Sequence, residues 1–338
     1  MLLMNTYTDT VRVGVVGATG YAGQELVALL ARHPGVRLQA AMSSSAESAA
    51  RPLPRLARIW DGQVEPLQTD RLARDVQLAF LAVPEAAAAT LAPPLLDAGV
   101  RVIDLSGAFR IREPRLRARW YPATGDLPHG AAYGLTEHYK PEVQKAALVA
   151  NPGCYPTAAL LALLPLSRAG LLDLGADVVI DAKSGISGAG RVPSDRTHFS
   201  ENHGSVAAYG VFGHRHVAEM EQELGATITF VPHLVPLDRG ILETIYVRVA
   251  PGVTAERIGD AFASAYAAEP FVRLTDDALP EIKHVAWTNF CDLGWRLDAG
   301  SRRLVLVACL DNLVKGAAGQ ALQNFNVACG FDERTALR

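Results

Sequence analysis

A compact apolar strand that runs into a glycine-rich turn and then an amphipathic helix leaves a chain few ways to fold. This sequence has that run near its start, with Val11-Arg12-Val13-Gly14-Val15-Val16 as the strand and Gln24 to Arg32 in helical spacing. Between them lies Gly17-Ala18-Thr19-Gly20-Tyr21-Ala22-Gly23. Strand, glycine loop and helix in that order place backbone N–H groups and a helix N-terminus where a pyrophosphate can be held. The glycines recur every three residues rather than as G-x-G-x-x-G, so the flanking elements carry the reading, not the glycines alone. Gly17, Thr19, Gly20, Tyr21 and Ala22 are the expected contacts to a dinucleotide.

A second strand, Val36 to Met42, ends in Ser43-Ser44-Ser45. A carboxylate there would grip the 2′-hydroxyl of NAD. Hydroxyls at Ser43 and Ser44 in its place point to the 2′-phosphate of NADP. The run Val76 to Val83 is almost wholly apolar, as a parallel strand buried on both faces must be. A helix from Glu85 to Ala98 and a strand from Arg101 to Leu105 follow. This alternation predicts an α/β fold with a Rossmann-type, doubly wound parallel sheet. Ser106 and Arg110 lie beyond a strand's carboxyl end, where such sheets bind ligands.

After Cys154 strands dominate: Ala176 to Ala182, Thr227 to Pro232, Ile241 to Val249 and Arg303 to Leu310. Much of Ile241 to Val249 alternates, the pattern of a sheet packed on one face. A second, α+β catalytic domain with a largely antiparallel sheet is expected over residues 154–311. The dinucleotide domain is expected over 11–153 and 312–338, because a last helix, Leu313 to Val327, reads as capped by Asn312, stopped at Gly330 and returning to it.

The chemistry centres on Asn151-Pro152-Gly153-Cys154-Tyr155-Pro156-Thr157. A tight corner places Cys154 between a short strand, Ala147 to Ala150, and a helix from Thr157 to Leu166, with Pro156 suited to the first turn. The positive end of the helix dipole favours the thiolate there. The loop Lys183 to Arg191, with three glycines and two serines, suits a phosphate or carboxylate. Four of the nine histidines, His198, His203, His214 and His216, lie within nineteen residues. His214-Arg215-His216 precedes a helix, Val217 to Leu224, so an imidazole can deprotonate the thiol and return a proton. Glu219 lies on His216's helical face and can orient it. No metal is expected, since a ligand spacing is lacking apart from Glu219 and Glu221.

Composition excludes several classes. With 338 residues the chain suits two domains. A net charge of −3 and no basic stripe argue against nucleic acid. The four cysteines, Cys154, Cys291, Cys309 and Cys329, form no C-x-x-C pair and no disulfide framework. The opening Met1-Leu2-Leu3-Met4 is too brief for a signal, and no apolar run reaches membrane-spanning length. The expected compartment is the cytoplasm.

The glycine loop, Asn151 to Thr157, Ser184-Gly185 with Ser187 to Arg191, His214-Arg215-His216, and Asp311 to Ala321 occur together in an order that resembles the N-acetyl-γ-glutamyl-phosphate reductases of arginine biosynthesis, relatives of aspartate-semialdehyde dehydrogenase. The resemblance implies an NADP-dependent reductase of an acyl phosphate, with Cys154 as nucleophile, a thioester, and release of phosphate. One of His214 and His216 would carry the proton, and the resemblance leaves the choice open. It implies that Ser184, Gly185, Asn312 and Lys315 touch cofactor. Asn151, Ser187 and Arg191 would touch substrate with Ser106 and Arg110, and the enzyme would be a homodimer or homotetramer. The chain departs from the family's usual form in three places. Ser43 to Ser45 has no arginine before Arg51, Val217-Ala218 stands where Thr-Pro is common, and Gly107-Ala108 differs. Rival readings are the homologous reductase of lysine biosynthesis, whose substrate rides on a small acidic protein, and a non-catalytic NADP sensor.

Overall fold

The computed structural model of the chain describes residues 10–275 and 277–337. They form two compact units: one runs to Gly153 and resumes at Ala317, and the other is Cys154–Gly316.

The first unit is built on six parallel strands: β1 (Val11–Val16), β2 (Val36–Met42), β3 (Leu78–Leu81), β4 (Arg101–Asp104), β5 (Ala132–Tyr133) and β6 (Leu148–Ala150). Their order is β2-β1-β3-β4-β6-β5. All pairings are parallel. Every residue of β3 is buried, as its unbroken apolar sequence requires. The sheet grows in one direction from β1 to β2 and in the other from β1 to β3. The carboxyl ends of β1 and β3 therefore flank the switch point, where this architecture takes its ligands. Helix α1 (Tyr21–Leu30) follows the glycine turn, and α2 (Glu85–Asp97) links β3 to β4. Helix α3 (Thr136–Lys145), kinked at Tyr139 and carrying Pro141 inside, follows β5. The chain then leaves the unit and re-enters it as a helix, Gly319–Cys329, whose Phe325 is fully buried against Phe80 and His33. Asn324 on that helix donates to Gly134 O at 2.8 Å and accepts from Thr136 Oγ1 at 2.7 Å.

This last helix begins later than its sequence indicates. A π-helical turn, Val314–Ala318, precedes it, and the cap is Asp311 rather than Asn312. Asp311 Oδ1 accepts from the N–H groups of Leu313 (2.8 Å) and Val314 (3.1 Å). Gly330 stops the helix in the left-handed region, φ 77°, as expected.

The second unit starts with α4 (Cys154–Arg168), in which every residue from Tyr155 to Leu166 is buried. Burial on that scale, worth roughly 1.5–3 kcal/mol per large apolar side chain, makes α4 the core of the unit. Pro156 is the third residue of the helix, still in the first turn, where no intrahelical donor is lost. The sheet contains β7 (Val178–Gly185), β8 (Ala207–Ala208), β9 (Ile228–Val235), β10 (Ile241–Arg248), β11 (Val272–Leu274), β12 (Cys291–Asp298) and β13 (Arg303–Leu310). Its order is β8-β9-β7-β10-β13-β12-β11, antiparallel except for β9 with β7 and β11 with β12. The unit's two longer remaining helices are α5 (His216–Leu224) and α6 (Ala255–Tyr266), the latter capped by Thr254 Oγ1, which accepts from Arg257 N. Tyr266 Oη donates to Leu161 O at 2.5 Å, pinning α6 to α4. Among the described residues no helix is long and apolar enough to cross a membrane.

Candidate active site

Cys154 is the first residue of α4 and only partly buried. The chain comes back to it at Gly316, where an added Cβ would lie 2.7 Å from Cys154 Cβ. Tyr155, the next residue, points into an aromatic group with Phe230, His214 and His216, at ring centroid distances of 5.1, 5.8 and 5.9 Å. The two imidazoles are 4.7 Å apart. Tyr209 closes the group, its ring 5.6 Å from His214 and its hydroxyl 3.2 Å from that of Tyr155. The structure thus places Cys154, His214 and His216 in one unit and around one tyrosine pair.

Electrostatics separates the members of this group. Burial, then the Arg215 charge, lowers His214 to about 4, so its imidazole is neutral at physiological pH. His214 Nδ1 accepts from His216 N at 3.2 Å, which fixes its proton on Nε2. Burial raises both phenols, Tyr155 far above the usual range and Tyr209 to about 12. A negative charge on Cys154 pushes each of them further up. Both hydroxyls therefore stay protonated. Glu219, one turn along α5 from His216, is fully buried.

The anion loop is anchored from behind. Ser184 is buried, its Oγ donating to Gly185 O at 3.0 Å. An added Cβ at Gly185 would lie 2.7 Å from the backbone of Arg239, so only glycine fits. Asn312 Nδ2 donates to Ser187 Oγ at 3.0 Å, and its Oδ1 accepts from Gly240 N at 2.7 Å. Asn312 therefore ties the loop to the start of β10. Asp311 binds Arg239 Nη1 at 3.1 Å and accepts from Trp287 N at 2.6 Å, and the Arg239 guanidinium lies 3.3 Å over the Trp287 ring. Arg191 is exposed, and Lys315 is fully buried with Nζ 5.8 Å from the Phe271 ring.

In the first unit, Gly17 has φ 84°, and an added Cβ would lie 2.1 Å from Ala82 O, just past β3. At Gly23 it would lie 2.2 Å from Gly17 O. The turn is thus pressed into the switch point by two glycines. The helix behind it starts at Gly20 with no side-chain cap, leaving its first N–H groups available for an anion, an arrangement that fits a dinucleotide pyrophosphate. Thr19, Tyr21 and Ala22 lie on the same turn. Ser43 Oγ is engaged with Ser45 O and with Ser48 Oγ, so it shapes the turn, whereas Ser44 is exposed. Ser106 Oγ donates to Asp104 Oδ2 at 2.7 Å. Arg110 donates to Asn151 O and Leu105 O, each at 2.8 Å. Asn151 Nδ2 donates to Ala317 O at 3.2 Å, and its Oδ1 accepts from Asn324 at 3.0 Å.

Tyr209, Arg239, Trp287 and Asp311 were not legible as site residues. Only Asp311 carried a signal, an aspartate directly after an apolar strand and before a helix start.

The sequence matches the family described as "Semialdehyde dehydrogenase, NAD binding domain" over residues 12–146, and that described as "Semialdehyde dehydrogenase, dimerisation domain" over 154–312. It is 44% identical to an N-acetyl-gamma-glutamyl-phosphate reductase of Brevibacillus brevis, over 97% of this chain and 98% of that protein. It is 42% identical to the one of Bacillus subtilis, over 96% and 98%. Among solved structures it resembles aspartate semialdehyde dehydrogenase II of Vibrio cholerae, with TM-score 0.72 and 18% identity over 94% of this chain and 98% of that one. It also resembles an aspartate semialdehyde dehydrogenase with NADP from Candida albicans, with TM-score 0.66 and 16% identity over 94% and 98%. These two establish the fold.

Proposed function

The chain belongs to the N-acetyl-γ-glutamyl-phosphate reductases within the semialdehyde dehydrogenase family, and from that premise we propose how its residues reduce N-acetyl-γ-glutamyl phosphate to N-acetylglutamate 5-semialdehyde. The observation that carries the proposal is Cys154 at the first turn of α4, with the tyrosine pair and the histidine pair beside it.

The Cys154 thiolate attacks the acyl carbon, the carbon–oxygen bond to phosphate breaks, and phosphate leaves a thioester on Cys154. Backbone N–H groups of the first turn of α4 face the oxyanion formed in that step. A nicotinamide cofactor held by the glycine turn Gly17 to Gly23 would supply hydride to the thioester carbonyl. His216 protonates the resulting hemithioacetal oxygen and takes that proton back as the carbon–sulfur bond breaks, freeing the aldehyde and the thiolate. His216 has this role rather than His214, whose Nδ1 lone pair is committed to backbone and whose Nε2 already bears its proton. Glu219 orients His216 from the same helix. The anion loop, with Ser187 held by Asn312 and Arg191 at its end, receives the phosphate. Asn151, Ser106 and Arg110 are assigned to substrate, and Ser184, Gly185, Asn312 and Lys315 to cofactor.

NADP is preferred over NAD because the exposed Ser44, just beyond the end of β2, stands where a carboxylate would grip the ribose of NAD. The enzyme works as a homodimer or homotetramer in the cytoplasm. The dimerisation-domain match supports the oligomer, as does the uncovered face of β10, where Tyr246 is 45% exposed.

The test is reduction of NADP+ with N-acetylglutamate semialdehyde and phosphate. The parent should be active, more so with NADP+ than with NAD+, and Cys154→Ser should lose the activity. His216→Ala should lower kcat by roughly 10²–10⁴-fold, the usual worth of a general acid–base, and His214→Gln far less. An inactive parent sinks the reading, and equal small losses at both histidines sink the assignment of His216.

A further inference from the structure

Beside the thiol site, within the second unit, lies a cavity of about 240 Å³ formed by residues 195–209 and the end of β9. At about 30 Å³ per water, it has room for roughly eight waters, enough for a group of several heavy atoms. Its position follows from Tyr209, which lines it and whose hydroxyl is 3.2 Å from that of Tyr155, the residue after Cys154. Its lining is chemically uneven. Leu234 and the Tyr209 ring give an apolar wall, and the Arg196 guanidinium stands 5.7 Å from the Tyr209 ring. Asp195 and Glu201 stand at the same cavity. Asn202 is only 6% exposed, and its Oδ1 accepts no hydrogen bond from any described residue. Leaving a buried amide oxygen unmatched costs free energy, and such a group persists where a ligand completes it.

We propose that this cavity is the subsite for the non-reacting end of the substrate, an N-acylated α-amino acid, with Asn202 Oδ1 accepting from the acetamido N–H and Arg196 pairing with the α-carboxylate. The assignment rests on the reductase reading above. The apolar wall takes the acetyl methyl group, and the Tyr209–Tyr155 pair marks the boundary between subsite and reacting carbon. Asp195 and Glu201 repel a carboxylate that is not directed into the Arg196 fork, so the arginine selects orientation as well as charge. An acidic carrier protein would meet the same two carboxylates, which makes this mouth a poor fit for a carrier-borne substrate.

The experiment compares three aldehydes in the phosphate-dependent reduction of NADP+ by the full-length enzyme. They are N-acetylglutamate semialdehyde, 4-acetamidobutanal (no carboxylate) and 5-oxopentanoate (no acetamido group). Asn202→Ala should raise KM about tenfold or more for the two acetamido substrates and leave that for 5-oxopentanoate unchanged, since one buried hydrogen bond is at stake. Arg196→Gln should do the converse, raising KM for the two carboxylates and sparing 4-acetamidobutanal. In both variants kcat with N-acetylglutamate semialdehyde should hold, because the lost contact is made equally in ground and transition states. Far-ultraviolet circular dichroism and Tm identify a variant that has misfolded, in which case Asn202→Ser and Arg196→Lys take their places. Losses that ignore which group the aldehyde carries, or no losses, overturn the subsite. A parent inactive on N-acetylglutamate semialdehyde overturns the reductase reading instead, so the two failures are distinguishable.

Discussion

A methyl group at position 316 would stand 2.7 Å from Cβ of Cys154, well inside van der Waals contact, and also 3.3 Å from Asp311 O. Neither neighbour yields freely: one is the stem of Cys154 and the other accepts from Gly316 N at 2.8 Å. Gly316→Ala must therefore displace Cys154. Overpacking of this kind costs about 1–3 kcal/mol of stability, and a misplacement near 1 Å costs on the order of 10²-fold in rate. A fall in kcat much steeper than the fall in Tm is the expected outcome, and an unchanged kcat would show that the close approach has no bearing on the thiol. At this scale the sequence was informative wherever a residue type is rare in its setting, as with Cys154 after Pro-Gly or the paired histidines. It was silent on Tyr209 and Arg239, because a tyrosine or an arginine in a loop has many uses and only the folded contacts select one.

Among the elements, the segment Asp311-Asn312 between β13 and the π-helical turn joins several partners. The Asp311 carboxylate is fully buried and receives Arg239, Trp287 N, Leu313 N and Val314 N. Removing it takes away the buried counter-charge of the Arg239 guanidinium and leaves it the exposed Asp238 carboxylate at 3.9 Å, a loss of a kind that typically costs about 3–5 kcal/mol. Asp311→Ala should thus lower stability by about that amount in a denaturant titration, and it should redden and quench Trp287 emission as the stacked guanidinium loosens. A loss below about 1 kcal/mol would mean that the pair is dispensable. Apolar periodicity made β1, β3, β7, β10 and β13 readable within a few residues. It missed β12, where Asp292 and Gly294 interrupt the pattern. Asp292 is buried only because Arg273 forks onto it at 2.6 and 2.9 Å. Gly294 is needed because a Cβ there would lie 2.6 Å from Thr275 Oγ1. It also missed α3, where Pro141 and the kink at Tyr139 break the helical rhythm. In both cases distant residues supply what the local sequence lacks.

For the molecule as a whole, buried carboxyls tie stability to acid pH: burial raises Glu243 well above the usual carboxylate range, and Asp104 is a second such group. Asp104 is fully buried, and burial raises its pKa from 3.8 to about 6, more than the Ser106 hydrogen bonds lower it. The folded state therefore holds this proton more tightly than the unfolded chain does. The resulting stabilisation is complete below pH ~4 and is lost as pH rises through ~6, amounting to about 3 kcal/mol from a shift of this size. The stability of the parent relative to Asp104→Asn should fall across that window, measured by denaturant midpoints at a series of pH values. A difference that does not vary with pH would refute the buried-acid account. The two-unit plan and the two sheet types were legible from alternation and from its change after Cys154, since those patterns record which faces are buried.

The discontinuity of the first unit has a consequence for how the protein is made. Its core includes Leu322 and Phe325, both wholly buried, and these residues are synthesised after the entire second unit. A nascent chain that has emerged as far as Gly316 holds all of the thiol-bearing unit but only a nucleotide-binding unit with an open flank. Biosynthesis from the N-terminus therefore delivers Cys154 in folded surroundings before the first unit can close.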